Sequence, residues 1–277
     1  GYNSIYGGHI PPTIQDAIDK AGSGNTILLS TRTYTENVIV NKPVTITGSD
    51  SAFDKPVING SLTVNHSSDI PTVIKNLGFV TDGLSPDPND KNQDNIRLEQ
   101  GVKNVTIANC DFDAGDTFMH ESESGQGFRA IQMPSGTRSE SITVENCTFR
   151  NGYYVTIQGY VNDLTVKDST ITNCKSGINV QGGNNLVVEN TNVDVVAQAE
   201  ENNTYCVRFI NGSITGGSFV LAKKDGVGEP TGDKRHSAII VRAGATGDLT
   251  IENATIDGEV VDLSGVLDLD VVLEGNV

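Results

Sequence analysis

The fold is decided by two stretches, Ile142-Thr-Val-Glu-Asn146-Cys-Thr-Phe149 and Leu164-Thr-Val-Lys-Asp168-Ser-Thr-Ile171. Both have the form apolar-x-apolar-x-Asn/Asp-x-x-apolar. The form returns as Val105-Thr-Ile-Ala-Asn109-Cys-Asp-Phe112, Leu186-Val-Val-Glu-Asn190-Thr-Asn-Val193 and Leu249-Thr-Ile-Glu-Asn253-Ala-Thr-Ile256. Weaker copies centre on Asn76 and Gly216, and Val44-Thr-Ile-Thr-Gly48 reads as an earlier one. The copies at 146, 168 and 190 lie 22 residues apart. A fixed period of this length marks a solenoid in which each repeat is one coil.

A second strand precedes each copy. Its apolar pairs are Ile96/Leu98, Ile131/Met133, Val155/Ile157, Ile178/Val180, Val207/Phe209 and Ile239/Val241. Spacing by two puts each pair on one face of a strand. Two or three strands in a coil of roughly 22 residues describe a parallel β-helix, with coils stacked ~4.8 Å apart and equivalent residues in ladders. The Asn column is a turn position, because Asn accepts left-handed geometry and its side chain bonds nearby backbone.

One segment before the coils reads as a helix, residues 13–22. Its apolar residues Ile14, Ala17, Ile18 and Ala21 fall at helical spacing, Thr13 can cap its start and Gly22 can stop it. The expectation is one domain over 1–277, all-β apart from this N-terminal capping α-helix, with coils from about residue 26 to 277. The 30 Gly, with Asn and Thr in abundance, exclude a helical protein. A net charge of −16 opposes nucleic acid and anionic membranes as partners. No apolar run approaches the roughly 20 residues of a spanning helix, and no N-terminal signal sequence is visible.

With these residues in hand, the chain resembles the pectin-lyase-like superfamily of right-handed parallel β-helices. The run from Thr33-Tyr34-Thr-Glu36 to Val44-Thr-Ile-Thr-Gly48 is similar to the opening of pectin methylesterases, with Arg32 where those have Gly. The resemblance implies the fold, with residues 13–22 as the cap of the first coil, and a carbohydrate-active or surface-adhesive protein. It supplies no catalytic set. The paired-Asp and Gly-His-Gly motifs of polygalacturonases and the Gln-Asp-Thr-Leu motif of pectin methylesterases are missing, and the chain has no Trp for the usual pectate lyase signature.

Loop lengths localise a site. From the last apolar residue of one Asn segment to the next strand, the intervals are 17 (Phe79 to Ile96), 19 (Phe112 to Ile131), 6 (Phe149 to Val155), 7 (Ile171 to Ile178), 14 (Val193 to Val207) and 20 (Phe219 to Ile239). Two tight corners between pairs of long ones predict a groove, walled by loops 80–95 and 113–130 on one side and 194–206 and 220–238 on the other. Alternation places Gln132, Tyr154, Thr156, Gln158, Asn179 and Gln181 on its floor, with Tyr205 beside them. Uncharged hydrogen-bonding groups and aromatic rings suit sugar hydroxyls.

Arg208, Arg242 and His236 form a basic cluster on this acidic chain and are the catalytic candidates for a polysaccharide lyase, which needs a base and a cation beside a uronate carboxylate. A hydrolase would need two carboxylates facing one bond. Asp111, Asp113, Asp116, Glu121 and Glu123 lie in or beside one wall loop, with nothing to fix a pair of them. No metal site is assigned. Calcium is the one cofactor to weigh, through Asp111, Asp113 and Asp116, or through Asp82, Asp87, Asp90 and Asp94, although neither set has the positional pattern of a calcium loop. Cys110 and Cys147 share one repeat position and are expected as free thiols, with Cys174 and Cys206 unpaired.

The expected function is a secreted or cell-surface protein that engages a polysaccharide or glycan through the groove, mainly as a binding or adhesive module. The alternative is a lyase or hydrolase with a non-standard catalytic set acting on acidic polysaccharide. A monomer is expected, with no membrane insertion. The sequons at Asn146 and Asn253 fall on ladder turns, which points to a prokaryotic source.

Overall fold

The computed structural model describes residues 13–50, 53–87, 89–116, 127–245 and 247–276. Strand pairs are parallel from the first coil, where Thr26–Leu28 meets Thr45–Thr47, to the last, where His236–Val241 meets Val260–Asp262. The chain is the expected parallel β-helix with a helical cap at its N-terminal end.

The repeat turns on its asparagines. Asn76, Asn109, Asn146, Asp168, Asn190 and Asn253 all adopt positive φ, between 45° and 57°, and Gly216 takes the same position at 67°. That geometry strains most side chains but suits Asn, Asp and Gly. The column bonds along the axis: the Asn109 N–H donates to Glu145, that of Asn146 to Lys167, and that of Asp168 to Glu189. Each corner is therefore fastened to the next by the residue that makes it.

Three faces result. One carries the strands that lead into the Asn turns. The second follows the turns, from Thr33–Tyr34 through Asp111–Asp113 and Thr148–Arg150 to Thr255–Asp257. Its inward column contains Phe79, Phe112 and Phe149, stacked with ring centroids 4.7 and 4.6 Å apart and nearly parallel planes. Ile171, Val193, Phe219 and Ile256 continue that column.

The third face comprises Val38–Val40, Leu62–Val64, Asp94–Leu98, Arg129–Met133, the start of Ile157–Lys167, Ile178–Gly182, Thr204–Phe209, His236–Val241 and Val260–Asp262. Its register corrects one expected pair. Ile157 stands beside Ile131 and Ile178, and Gly159 beside Met133 and Val180, so the inward pair is Ile157/Gly159 rather than Val155/Ile157. A Cβ on Gly159 would come 2.4 Å from that of Met133. The missing side chain is why sequence alternation slips by two residues here.

Both ends of the solenoid are closed by helices. The first, α1 (Ile14–Lys20), is capped by Thr13, and its leading amides donate to the Glu36 carboxylate. Gln15 extends from α1 to Ile39, accepting from the backbone N–H at 2.8 Å and donating to the C=O at 3.2 Å. At the far end, α2 (Leu269–Gly275) begins at Asp268 and buries Val272. The Asn276 amide after it donates to Ile251 C=O and accepts from Ala254 N–H. The strands stop at Asp262, so the expected run of coils to residue 277 is corrected by this second helix.

Candidate functional site

The outward column of the third face runs Arg97, Gln132, Gln158, Asn179, Arg208, Ile240, one residue per coil. Two adjoining hollows open over it. The first, about 360 Å³, is lined by Asn89, Asp90, Lys91, Gln93 and Asp94 from the 80–95 loop, and by Arg97, Arg129, Gln132, Tyr160 and Gln181 from the coils. The second, about 260 Å³, is lined by Tyr154, Gln158, Lys175, Ser176, Asn179, Tyr205 and Arg208, with Glu201, Asn202, Asn203 and Lys234 from the loops beyond.

Most of the expected floor is brought together. Gln132 and Gln181 share the first hollow, and Tyr154, Gln158, Asn179, Tyr205 and Arg208 share the second. Thr156 is a correction: it is fully buried, and its hydroxyl donates to Ser176 C=O at 2.9 Å. The shift to Ile157/Gly159 turns Thr156 into the corner and brings Tyr160 outward in its place. Gly182 leaves room for the Tyr160 ring, since a Cβ there would come 2.7 Å from it.

The basic cluster is also rearranged. The ladder partner of Arg208 is Ile240, so Arg242 does not stack directly on Arg208. Arg242 is still near enough that, after burial, the like charge of Arg208 is the main cause lowering its pKa. His236 pairs in register with Thr204, and its Nε2 lies 3.1 Å from Ala199 C=O. That ring is buried against the backbone of the 194–206 loop and lines neither hollow.

The strongest omission from the sequence reading is Lys175, on the tight corner before Ile178–Gly182. It is only 6% exposed, yet it lines the second hollow. Its amine lies 3.6 Å from the centroid of the Tyr154 ring. Burial pushes its pKa down to about 7, while the ring's negative face favours the charged form and opposes that shift. No carboxylate pairs with Lys175 or Arg208 among the described residues. Tyr205 is buried beside them, which raises its pKa to about 12.

The first hollow is built differently. Asp94 is 2% exposed, with Arg97 3.3 Å and Arg129 3.8 Å from its carboxylate. Burial raises its pKa to about 6 against the pull of Arg129 and Arg97. Arg97 also reaches Glu99 at 3.0 Å, and Arg129 donates to Gln93.

Ten buried side-chain polar atoms lack a hydrogen-bond partner among the described residues, and six belong to this cleft: Asp94 Oδ1, Arg129 Nε, Gln132 Oε1, Ser176 Oγ, Asn179 Oδ1 and Arg208 Nε. Buried polar atoms are ordinarily paired, and leaving one unpaired costs ~1–3 kcal/mol. Their concentration on one face sets it apart from the rest of the solenoid.

Five of the seven calcium candidates are otherwise engaged, Asp94 with Arg97 and Arg129 as above. Asp111 pairs with Lys55 at 2.8 Å and accepts from Thr148, and Asp113 binds Arg150 and Asn151. Both lie on the second face, away from the cleft, and Asp116 forms a left-handed turn. Asp87 and Asp90 accept from the backbone of their own loop, at Asn89 and Asn92. No group of three His, Cys, Asp or Glu converges among the described residues. Glu121 and Glu123 lie outside the described residues. The four cysteines are free and buried.

No family model matches the chain, and no curated protein matches it. Among solved structures it is similar to a pectin methylesterase in complex with a hexasaccharide. That likeness has a TM-score of 0.40 at 11% identity, covering 92% of this chain and 77% of the other. It is also similar to a mannuronic acid specific polysaccharide family 6 lyase from human gut microbiota, with a TM-score of 0.33 at 11% identity, covering 91% and 79%. Neither likeness bears on what the cleft does. No helix among the described residues is long and apolar enough to cross a membrane.

Proposed function

We propose that the chain binds an acidic polysaccharide along its third face, acting as a monomeric binding or adhesive module at or outside the cell surface of a prokaryote. The observation that carries this reading is the row of unpartnered buried polar atoms from Asp94 to Arg208. Sugar hydroxyls, which both donate and accept, can complete such a mixed set of donors and acceptors. The carboxylate-free cations Arg208 and Lys175 give the second hollow its preference for an anion, and the Tyr154 ring offers an apolar surface for a sugar face.

A second reading, cleavage by a lyase, is favoured by Lys175. A neutral amine near pH 7 can take the proton from the carbon beside a uronate carboxylate held by Arg208. The electron pair released forms a carbon–carbon double bond as the glycosidic C–O bond breaks, and the leaving oxygen takes up a proton. Hydrolysis is disfavoured, since Glu201 is the single carboxylate lining the second hollow.

The deciding experiment is a panel of acidic and neutral polysaccharides assayed by calorimetry for binding and by ultraviolet absorbance for unsaturated products. Binding without product supports the first reading, and product formation lost in Lys175→Met supports the second. If no acidic polysaccharide binds, both readings fail. Arg208→Ala is expected to weaken binding about tenfold, a loss of ~1.4 kcal/mol.

A further inference from the structure

The two hollows differ in how their cations are balanced. In the first, Arg97 contacts both Asp94 and Glu99, Arg129 faces Asp94, and Lys91 lies 3.6 Å from Glu99. Every cation lining it already has a carboxylate. In the second, Arg208 and Lys175 line the hollow with no carboxylate partner among the described residues, and Arg242 adds its charge nearby. The two hollows share one continuous column, because Gln132 of the first is the ladder neighbour of Gln158 in the second.

We propose that these are two subsites of opposite preference, and that the ligand is a heteropolysaccharide carrying an uncharged sugar over Asp94 and Gln132 and an acidic sugar over Lys175 and Arg208. This rests on the function proposed above and specifies its ligand.

The chemistry of the first subsite follows from its unpartnered atoms. Asp94 Oδ1 and Gln132 Oε1 can only accept, and Arg129 Nε can only donate. A sugar hydroxyl supplies a proton to either acceptor, and a ring or hydroxyl oxygen accepts from the arginine. A carboxylate-bearing sugar has no proton for Asp94 and meets a buried like charge there, which a low-dielectric site makes costly. In the second subsite an acidic sugar supplies the missing counterion, while Asn179 Oδ1 and Ser176 Oγ take its hydroxyls. The glycan then runs along the solenoid axis, because successive coils present Arg97, Gln132, Gln158, Asn179 and Arg208 in order. Its direction is fixed by which end carries the uncharged sugar.

The test compares three oligosaccharides of equal length by calorimetry at pH 6.5, between the folded pKa of Asp94 at about 6 and that of Lys175 at about 7: all-uronate, all-neutral, and alternating uronate with neutral sugar. The alternating oligomer is expected to bind at least tenfold tighter than either of the others. Asp94→Asn is expected to weaken the alternating oligomer and to tighten the all-uronate one severalfold, because a like charge is removed. Gln132→Ala, a second and milder change in the same subsite, is expected to weaken the alternating oligomer alone; circular dichroism confirms that each variant folds. If the all-uronate oligomer binds as tightly as the alternating one, or Asp94→Asn affects both alike, the two-subsite proposal is overturned while polysaccharide binding stands. If none of the three binds, the functional reading itself falls.

Discussion

The Lys175 amine sits directly over the Tyr154 ring, 3.6 Å from its centroid, and makes no ion pair with a carboxylate among the described residues. The two influences oppose each other: burial disfavours the charge and the ring favours it.

Lys175 therefore links stability to pH. Its folded pKa is lowered to about 7 from an ordinary 10.5. Below pH 7 the amine is charged in both states and the burial penalty is present in full. Between about 7 and 10.5 the unfolded chain holds a proton that the folded chain lacks, so stability rises with pH across that window. Lys175→Met is expected to be more stable than the wild type by roughly 1–3 kcal/mol at pH 6, allowing for the ring contact. Thermal melts at pH 6 and pH 10 should show that gap shrinking with pH; a constant gap would exclude titration of Lys175 as its source.

Gly159 is fixed by the side chain on the next coil. Its inward position would place a Cβ 2.4 Å from Met133 Cβ. Gly159→Val, although it imitates Val180 in the same column, is expected to cost ~1–3 kcal/mol by overpacking. Met133→Gly in the same chain, which removes the clashing Cβ, should recover part of the loss. Denaturant midpoints of the two single variants and the double variant make the measurement.

The turn column predicts an inverted order of tolerance. At Asn146, with φ of 50°, glycine fits and a β-branched residue does not. Asn146→Gly should stay near wild-type stability, whereas Asn146→Val should lose ~1–2 kcal/mol or more. Equal loss in both would mean that side-chain bonding, rather than backbone geometry, decides the position.

Phe112 is the middle ring of the stack. Its removal breaks both ring contacts and leaves a cavity closed by neighbouring coils, so Phe112→Ala is expected to cost ~3–5 kcal/mol. Phe112→Leu, which keeps most of the volume, should cost well under half of that by the same chemical denaturation assay.

The coil repeat was legible because Asn at 109, 146 and 190 performs one geometric task in each coil, which leaves the same residue in the same place. The cleft was legible in outline through loop lengths, and Gln132, Gln158 and Asn179 through alternation. Alternation failed at Thr156 because Gly159 carries no side chain to mark the inward position. Lys175 was invisible for another reason: a lysine on a short corner normally faces water, and only the neighbouring coils and the Tyr154 ring bury this one. The second helix had a readable signal in Asp268 followed by Leu269, Val272 and Leu273 at helical spacing.

Gln15 and Asn276 have a consequence for self-association. A stacked-strand protein presents, at each end, a template on which another chain could add its own strand. At Ile39 the backbone N–H and C=O are both occupied by the Gln15 amide, and at the opposite end Asn276 occupies Ile251 C=O and Ala254 N–H. A primary amide is a peptide group in miniature, one donor side and one acceptor, so the Gln15 side chain imitates a residue of a neighbouring strand, while the Asn276 side chain bridges the turn between Leu249–Glu252 and Thr255–Asp257. The rod thus carries its own chain terminators, and at these two points it cannot lengthen into a fibre by end-to-end strand addition.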